Sequence, residues 1–281
     1  MTSPAPSGTE PSGTAAGAGA PAHTGSQGTR VLGSVTAAGL VMLSLFALVF
    51  SPAEADQGDA VRLMYIHVPT AVVAFLAFFV TAAGSALWLW KKSRWWDLVA
   101  ASSAEIGVIF TALTLVTGMV WGRPIWGVYW TWDARLTSTA LLLLLFLGYL
   151  AIRRVPAEPD VRNRRAAFAG LIAVVDVPIV HYSVNWWNSL HQEPTITRLD
   201  PSIDGLMLFT LMLGIVVFLL LYLWLLVHRF RLAWLEEQLA SSDLAAALVE
   251  RRAEADEATI SAPPAPSSAA KASGTIAEAS R

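Results

Sequence analysis

The sequence predicts an all-α polytopic membrane protein with six transmembrane helices and a Trp-rich outer-face loop between helices three and four. Three observations carry that expectation. The 281 residues are 55% hydrophobic and only 14% charged, against roughly 25% charged residues in ordinary soluble domains. The apolar residues fall into six runs, each able to cross a hydrocarbon core, which takes about 17–25 residues as a helix. Lys and Arg, finally, divide the connections between those runs into a basic set and a basic-poor set, as the two sides of a membrane do.

Taken in order, residues 1–29 are Ala, Gly, Pro, Ser and Thr with few large apolar groups, too little to offset the entropy of ordering, and they read as a disordered tail. They lack the basic start of a secretory leader, and the apolar run that follows is too long for one, so no cleavage is expected. The membrane domain is expected over 30–228. Its first run, Val31 to Phe50, is uncharged; the others lie at roughly 66–90, 98–120, 136–152, 166–184 and 205–227. Residues 229–253 are charged and rich in Leu and Ala, with Trp234, Leu235 and Leu239 placed for one face, and read as a cytoplasmic amphipathic helix. Residues 254–281 return to the composition of the N-terminus and read as a second disordered tail.

Six spans put both termini on one side. One set of connections holds Lys91, Lys92, Arg94, Arg153, Arg154, Arg162, Arg164, Arg165, Arg229 and Arg231. The other holds only Arg62, Arg123, Arg135 and Arg198, among Glu54, Asp56, Asp59, Asp133, Glu193, Asp200 and Asp204. Because positive charge stays cytoplasmic, both termini are expected in the cytoplasm and the stretch 121–135 outside. The net charge of −2 argues neither for nucleic acid nor for a strongly steered anionic partner, and no nucleic-acid partner is expected. The chain has no cysteine, which excludes disulfides, thiolate metal sites, iron–sulfur ligation and covalent haem attachment through a CxxCH motif.

The outer stretch Trp121–Arg135, WGRPIWGVYWTWDAR, holds four of the twelve tryptophans, at 121, 126, 130 and 132. Large amphipathic rings gather where one side of a site is apolar and the other wet, so an interfacial aromatic belt is one reading and a binding platform the other. Two more outer pieces converge on it. One ends in Tyr65-Ile66-His67-Val68-Pro69 before helix two; the other, after helix five, carries Trp186, Trp187 and His191.

Of five histidines, His23 lies in the tail and His228 in a basic flank. His181 lies inside helix five, about 15 Å deeper than His191 if the chain stays helical between them. His67 and His191 remain as the pair at the depth of the tryptophans. A zinc site wants three or four ligands, and no HxxxH or HExxH spacing supplies them. Haem wants one or two axial imidazoles, an aromatic wall and cations for its propionates. His67 and His191 from opposite faces, the Trp side chains as wall, and Arg123 or Arg135 on the propionates meet those needs. Against this stands the plainer reading of each histidine as an interfacial side chain with a satisfied hydrogen bond. Two acids fall within the spans. Glu105, about 24 Å of helix rise before Trp121, is expected to be structural. Asp176, near mid-bilayer, is either functional or a packing residue. Pro178 beside it should kink helix five, and His181 lies about 140° around the helix from Asp176.

The stretch WGRPIWGVYWTWDARLTS resembles the tryptophan-rich "WWD" signature of haem-handling membrane proteins. With YIHVP at 65–69 and PIVHYSVNWWNSLHQ at 178–192, it is similar to the heme exporter protein C family of the cytochrome c maturation system, across residues 31 to 227. The resemblance implies a six-helix protein of the cytoplasmic (inner) membrane that transiently and non-covalently holds haem b at its outer face. His67 and His191 would be the axial ligands, and Trp121, Trp126, Trp130, Trp132, Asp133, Arg123, Arg135, Trp186 and Trp187 would form the cofactor-binding surface. It implies delivery to a membrane-anchored haem chaperone beside an ABC-type ATPase, its membrane subunits and a small single-span subunit, with no catalysis by this chain. The tails and the helix after 229 are outside the family pattern. A WWD-type cytochrome c synthase is the alternative, but such proteins carry a large extra outer domain and a WDP ending, and this chain has neither. A secondary transporter would favour paired broken helices, for which Pro178 beside Asp176 is the one hint.

Overall fold

A computed structural model describes residues 25–191 and 203–261, with side chains through Glu254. Among the described residues the chain is helical with no strand, and six helices are long and apolar enough to cross a membrane. Helix α1, Gln27–Leu45, opens three residues inside the stretch expected to be tail. Its start is set by a reciprocal cap in which Ser26 Oγ accepts from Thr29 N–H and Thr29 Oγ1 accepts from Ser26 N–H at 2.7 Å, satisfying two of the donors a helix end leaves over. The helix widens into a π turn over Phe46–Phe50. Arg62, in the short 3-10 segment Asp59–Leu63, reaches back to the Ala47 and Leu48 carbonyls. Those are helix-end acceptors without intrahelical partners, which gives this arginine a structural place.

Helices α2, Met64–Lys91, and α3, Arg94–Trp126, form the antiparallel centre. Small residues let their backbones close up: a Cβ on Gly84 would lie 3.0 Å from the Trp96 carbonyl oxygen, and one on Gly107 would lie 2.6 Å from Phe78. Close approach of this kind replaces the hydrophobic drive that lipid does not supply. Two apolar clusters flank the pair. Leu43 of α1 and Leu211, Phe218 and Tyr222 of the last helix pack on Tyr65, Val73 and Phe110. On the other side Phe78 stacks on Phe146, centroids 3.6 Å apart, amid Leu142, Tyr149, Val177 and Val180.

Helix α4, Ala134–Arg154, returns to the basic end. There Arg153 grips Asp97 with two bonds of 2.7 Å, and Arg229 grips Glu105, one bond at 2.9 Å. Glu105, expected to be structural, is thus one half of an ion pair. The fifth span is two helices, α5 Pro159–Ala173 and α6 Asp176–Trp186. Pro178 has no N–H for the Val174 carbonyl, which instead accepts from Val177 at 3.0 Å; the expected kink is an interruption. Asp176 sits at the break, 5% exposed.

Helix α7 runs from Gly205 to Ser261. The separate helix expected over 229–253 is thus the continuation of the last span, since no proline or capping residue interrupts it. Residues from Leu235 form a second compact unit, a helix whose Leu239, Leu244, Leu248 and Val249 are exposed. The tail expected from 254 is helical through Ser261. Residues 1–24, 192–202 and 262–281, with His23 and Arg198, lie outside the described residues.

Candidate functional site

The last turns of α3 organise the site. The stretch expected as a loop over 121–135 is a loop only from 127 to 133: Trp121 and Trp126 belong to α3, and Ala134 opens α4. The helix stops where Gly127 takes φ 79°, with its N–H on the Arg123 carbonyl at 3.0 Å, a conformation that costs glycine least.

His67, near the start of α2, lies against this end of α3. Its Nδ1 is 3.1 Å from Thr117 Oγ1. The Thr117 hydroxyl gives its single proton to the Leu113 carbonyl at 2.8 Å, so it accepts from His67, and Nδ1 carries the hydrogen. Gly118 supplies the room, because a Cβ there would sit 2.9 Å from His67 Cε1. Trp121 meets the imidazole edge-on at 5.7 Å and is itself anchored by an Nε1–H bond to Gln57 at 3.0 Å. The Nε2 lone pair of His67 is left over.

His191 is held in a parallel way by a different partner. Its Nδ1 lies 2.9 Å from Asp133 Oδ1, and the Asp133 side chain is only 2% exposed. Asp133 caps α4 by accepting from the Arg135 and Leu136 N–H groups, and its second oxygen accepts from Ser189 Oγ at 2.7 Å and Leu190 N–H at 2.8 Å. Although burial opposes its charge, the bonds from Ser189 and Leu190 and the nearby His191 hold its carboxyl below the usual carboxylate range. An ionised carboxylate only accepts, so His191 Nδ1 bears the hydrogen and Nε2 is again left bare. Burial lowers the His191 pKa, and the attraction of Asp133 only partly offsets this. Trp126 edges the ring at 4.7 Å and packs over Gly122, where a Cβ would lie 2.7 Å from its Cε3.

His191 is close enough for its charge to act on His67, and Arg135 acts on both rings. Arg135 is tied to the His181 carbonyl at 3.2 Å. Arg123 instead turns to the Gly127 carbonyl and the face of Tyr129. The His181 ring packs on Tyr182. Among the described residues no three His, Cys, Asp or Glu side chains group as a metal cluster; the donors on offer are two imidazole nitrogens.

The tryptophans divide by task. Trp121 and Trp126 buttress one histidine each. Trp130 meets Trp132 edge-on at 5.7 Å, and Trp132 is 83% exposed. Trp186 and Trp187 are also exposed, with Trp186 stacked on Tyr182. Sequence reasoning missed Thr117, Gly118, Gly122, Gln57 and Ser189. The spacing of Thr117 to Trp121 puts both on one helix face, a signal that points to His67 only once α2 is known to lie alongside.

The family model described as heme exporter protein C matches residues 19–245. The chain is 40% identical over 205 residues to heme exporter protein C of Haemophilus influenzae, covering 70% of this chain and 82% of that protein. It is 38% identical over 196 residues to the protein of the same name from Bradyrhizobium diazoefficiens, covering 69% and 74%. With the Escherichia coli protein of that name it shares 41% over 182 residues, 65% of this chain and 74% of the other.

Proposed function

This chain belongs to the heme exporter protein C family, and from that premise we propose that it binds haem b at the outer face of the cytoplasmic membrane and hands it to a membrane-anchored haem chaperone for c-type cytochrome maturation. One observation carries the reading: His67 and His191 both have Nδ1–H tied back, to Thr117 and Asp133, which leaves Nε2 of each ring as a lone-pair donor, and His191 lies near enough for its charge to act on His67. Tying back one nitrogen fixes tautomer and ring orientation so that the other can ligate a metal.

The residues present fit haem. Its iron takes two axial imidazoles, its ring packs on aromatic surface, and its propionates take cations. His67 and His191 would supply the imidazoles, Trp121 and Trp126 the near wall, and Arg135 the cation. Exposed Tyr129, Trp132, Trp186 and Trp187 would face the ring's outer edge and the chaperone that receives it. The haem is cargo, held non-covalently, and this chain makes no bond to its vinyl groups. We place the chain beside an ABC-type ATPase, its membrane subunits and a small single-span subunit, with both termini in the cytoplasm. The basic ends Lys91, Lys92, Arg153 and Arg154 support that orientation by the charge rule.

The test is the absorption spectrum of the full chain purified from a haem-replete host. Low-spin six-coordinate haem is expected, lost in His67→Ala and in His191→Ala and kept in His181→Ala. A folded apo chain that refuses added hemin overturns the reading. A reporter fused after Arg281 should work only in the cytoplasm, and activity outside overturns the orientation.

A further inference from the structure

We propose that the two histidines are unequal ligands, made so by the groups beneath them: Asp133 makes His191 the stronger, retained ligand, and Thr117 leaves His67 the weaker one, the side from which haem departs. This rests on the haem-binding reading above and adds an order of release to it.

The inequality lies in the partners. His191 Nδ1–H is given to a carboxylate that is 2% exposed and accepts from five donors. A hydrogen bond to an ionised partner is roughly twice as strong as a neutral one. By drawing on the Nδ1 proton, a carboxylate also raises the basicity of the opposite nitrogen. His67 Nδ1–H meets a neutral hydroxyl whose own proton has the Leu113 and Thr114 carbonyls to go to, and every acceptor around the ring is uncharged, so its Nε2 gains much less. Arg135 lies near both rings and so tempers both without erasing the difference.

Placement strengthens the distinction. Ser189, Leu190 and His191 all bond the same carboxylate, so one residue sets both the position and the donor strength of His191. His67 is placed by other means, the Gly118 hollow, the Trp121 edge and the Thr114 backbone carbonyl; the carbonyl is uncharged, so it adds less to donor strength than the carboxylate does for His191. Release is then a ligand exchange without change of oxidation state. The bond from iron to His67 Nε2 breaks, its electron pair returns to nitrogen, and a nitrogen or oxygen lone pair of the receiving protein takes the vacated face while His191 still holds the other.

Thr117 and Asp133 are positioning residues, and the test separates that role from mere folding. Hemin is titrated into the full chain in detergent, reading affinity, spectrum and reduction potential. His191→Ala should lose at least about tenfold more affinity than His67→Ala. Asp133→Asn, which keeps a capping oxygen for α4, should lose about 10–100-fold, should do the same in the His67→Ala background, and should add nothing in the His191→Ala background. Its bound haem should have a raised reduction potential, whereas Thr117→Val should lose only a few-fold with the potential near wild type. In the apo chain, nitrogen-resolved NMR should show a downfield, slowly exchanging His191 Nδ1 proton that Asp133→Asn abolishes. Equal losses for the two alanine variants, the reverse order, or an undiminished Asp133→Asn effect in the His191→Ala background each overturn the proposal while leaving haem binding in place. A wild-type chain that refuses hemin overturns the haem reading itself.

Discussion

Gly118→Ala should separate folding from ligand placement. The new Cβ would lie 2.9 Å from His67 Cε1 and 3.4 Å from Nδ1, so the ring must retreat by a few tenths of an ångström. It has little freedom, with Thr117 on one edge and Trp121 on another. Retreat stretches a bond already 3.1 Å long toward the length at which it no longer counts as one. Losing a neutral hydrogen bond costs about 1 kcal/mol, or roughly a fivefold loss in affinity if it is felt only when His67 ligates. Replacing glycine within a helix returns about 1 kcal/mol, so the thermal stability of the apo chain should change little while hemin affinity falls at least about fivefold. Gly148→Ala is the control, since a Cβ there meets nothing within 4 Å. The assay is a hemin titration beside a thermal melt in the same detergent. A Gly118→Ala chain that binds hemin with wild-type affinity and spectrum would refute the placement of His67.

Three further outcomes follow. Arg153→Met removes one partner of a buried two-bond ion pair, with side chains 14% and 8% exposed, and should destabilise the chain by about 3–5 kcal/mol in a thermal melt; pairing it with Asp97→Leu should recover much of the loss. Acidification should loosen the 189–191 segment. The folded His191 pKa is lowered from 6.5, so below about that pH the undocked imidazole takes up the proton first and the stability it lends falls. Asp133, also lowered, keeps its contribution until the pH drops through its still more acidic folded value. Trp126 fluorescence against pH reads this, and a signal flat from pH 7 to 5 would contradict it. Trp126→Ala, which strips the edge from His191, should weaken hemin retention, whereas Trp132→Ala, at an 83% exposed position, should leave hemin affinity within twofold and slow transfer to a chaperone; the opposite pattern would exchange their roles.

Six helical spans and their basic and basic-poor ends were legible in the sequence by itself, because hydropathy and charge act locally: each run of about 20 residues meets the bilayer on its own terms. The sequence also singled out His67 and His191 as the two histidines at the level of the tryptophans, and in the fold each ring lies against one, Trp121 and Trp126. Helix ends were less so. Trp121 and Trp126 looked like loop because the apolar run ends near Val120, yet the backbone continues helically to Gly127, and residues 229–253 looked separate only because their composition changes.

What only the tertiary structure decided is which groups hold those histidines. Thr117 lies 50 residues from His67 and Asp133 58 residues from His191. No local pattern of residues encodes contacts of that separation. They arise because α2 packs along α3 through small residues, bringing the Thr117 face to His67. Asp133, fixed as the cap of α4, has a second oxygen left to bind Ser189 and Leu190. Hydrogen-bond partners are chosen by distance and direction in three dimensions, so the tautomer of each imidazole, and with it the inequality proposed for the two ligands, exists only in the folded chain.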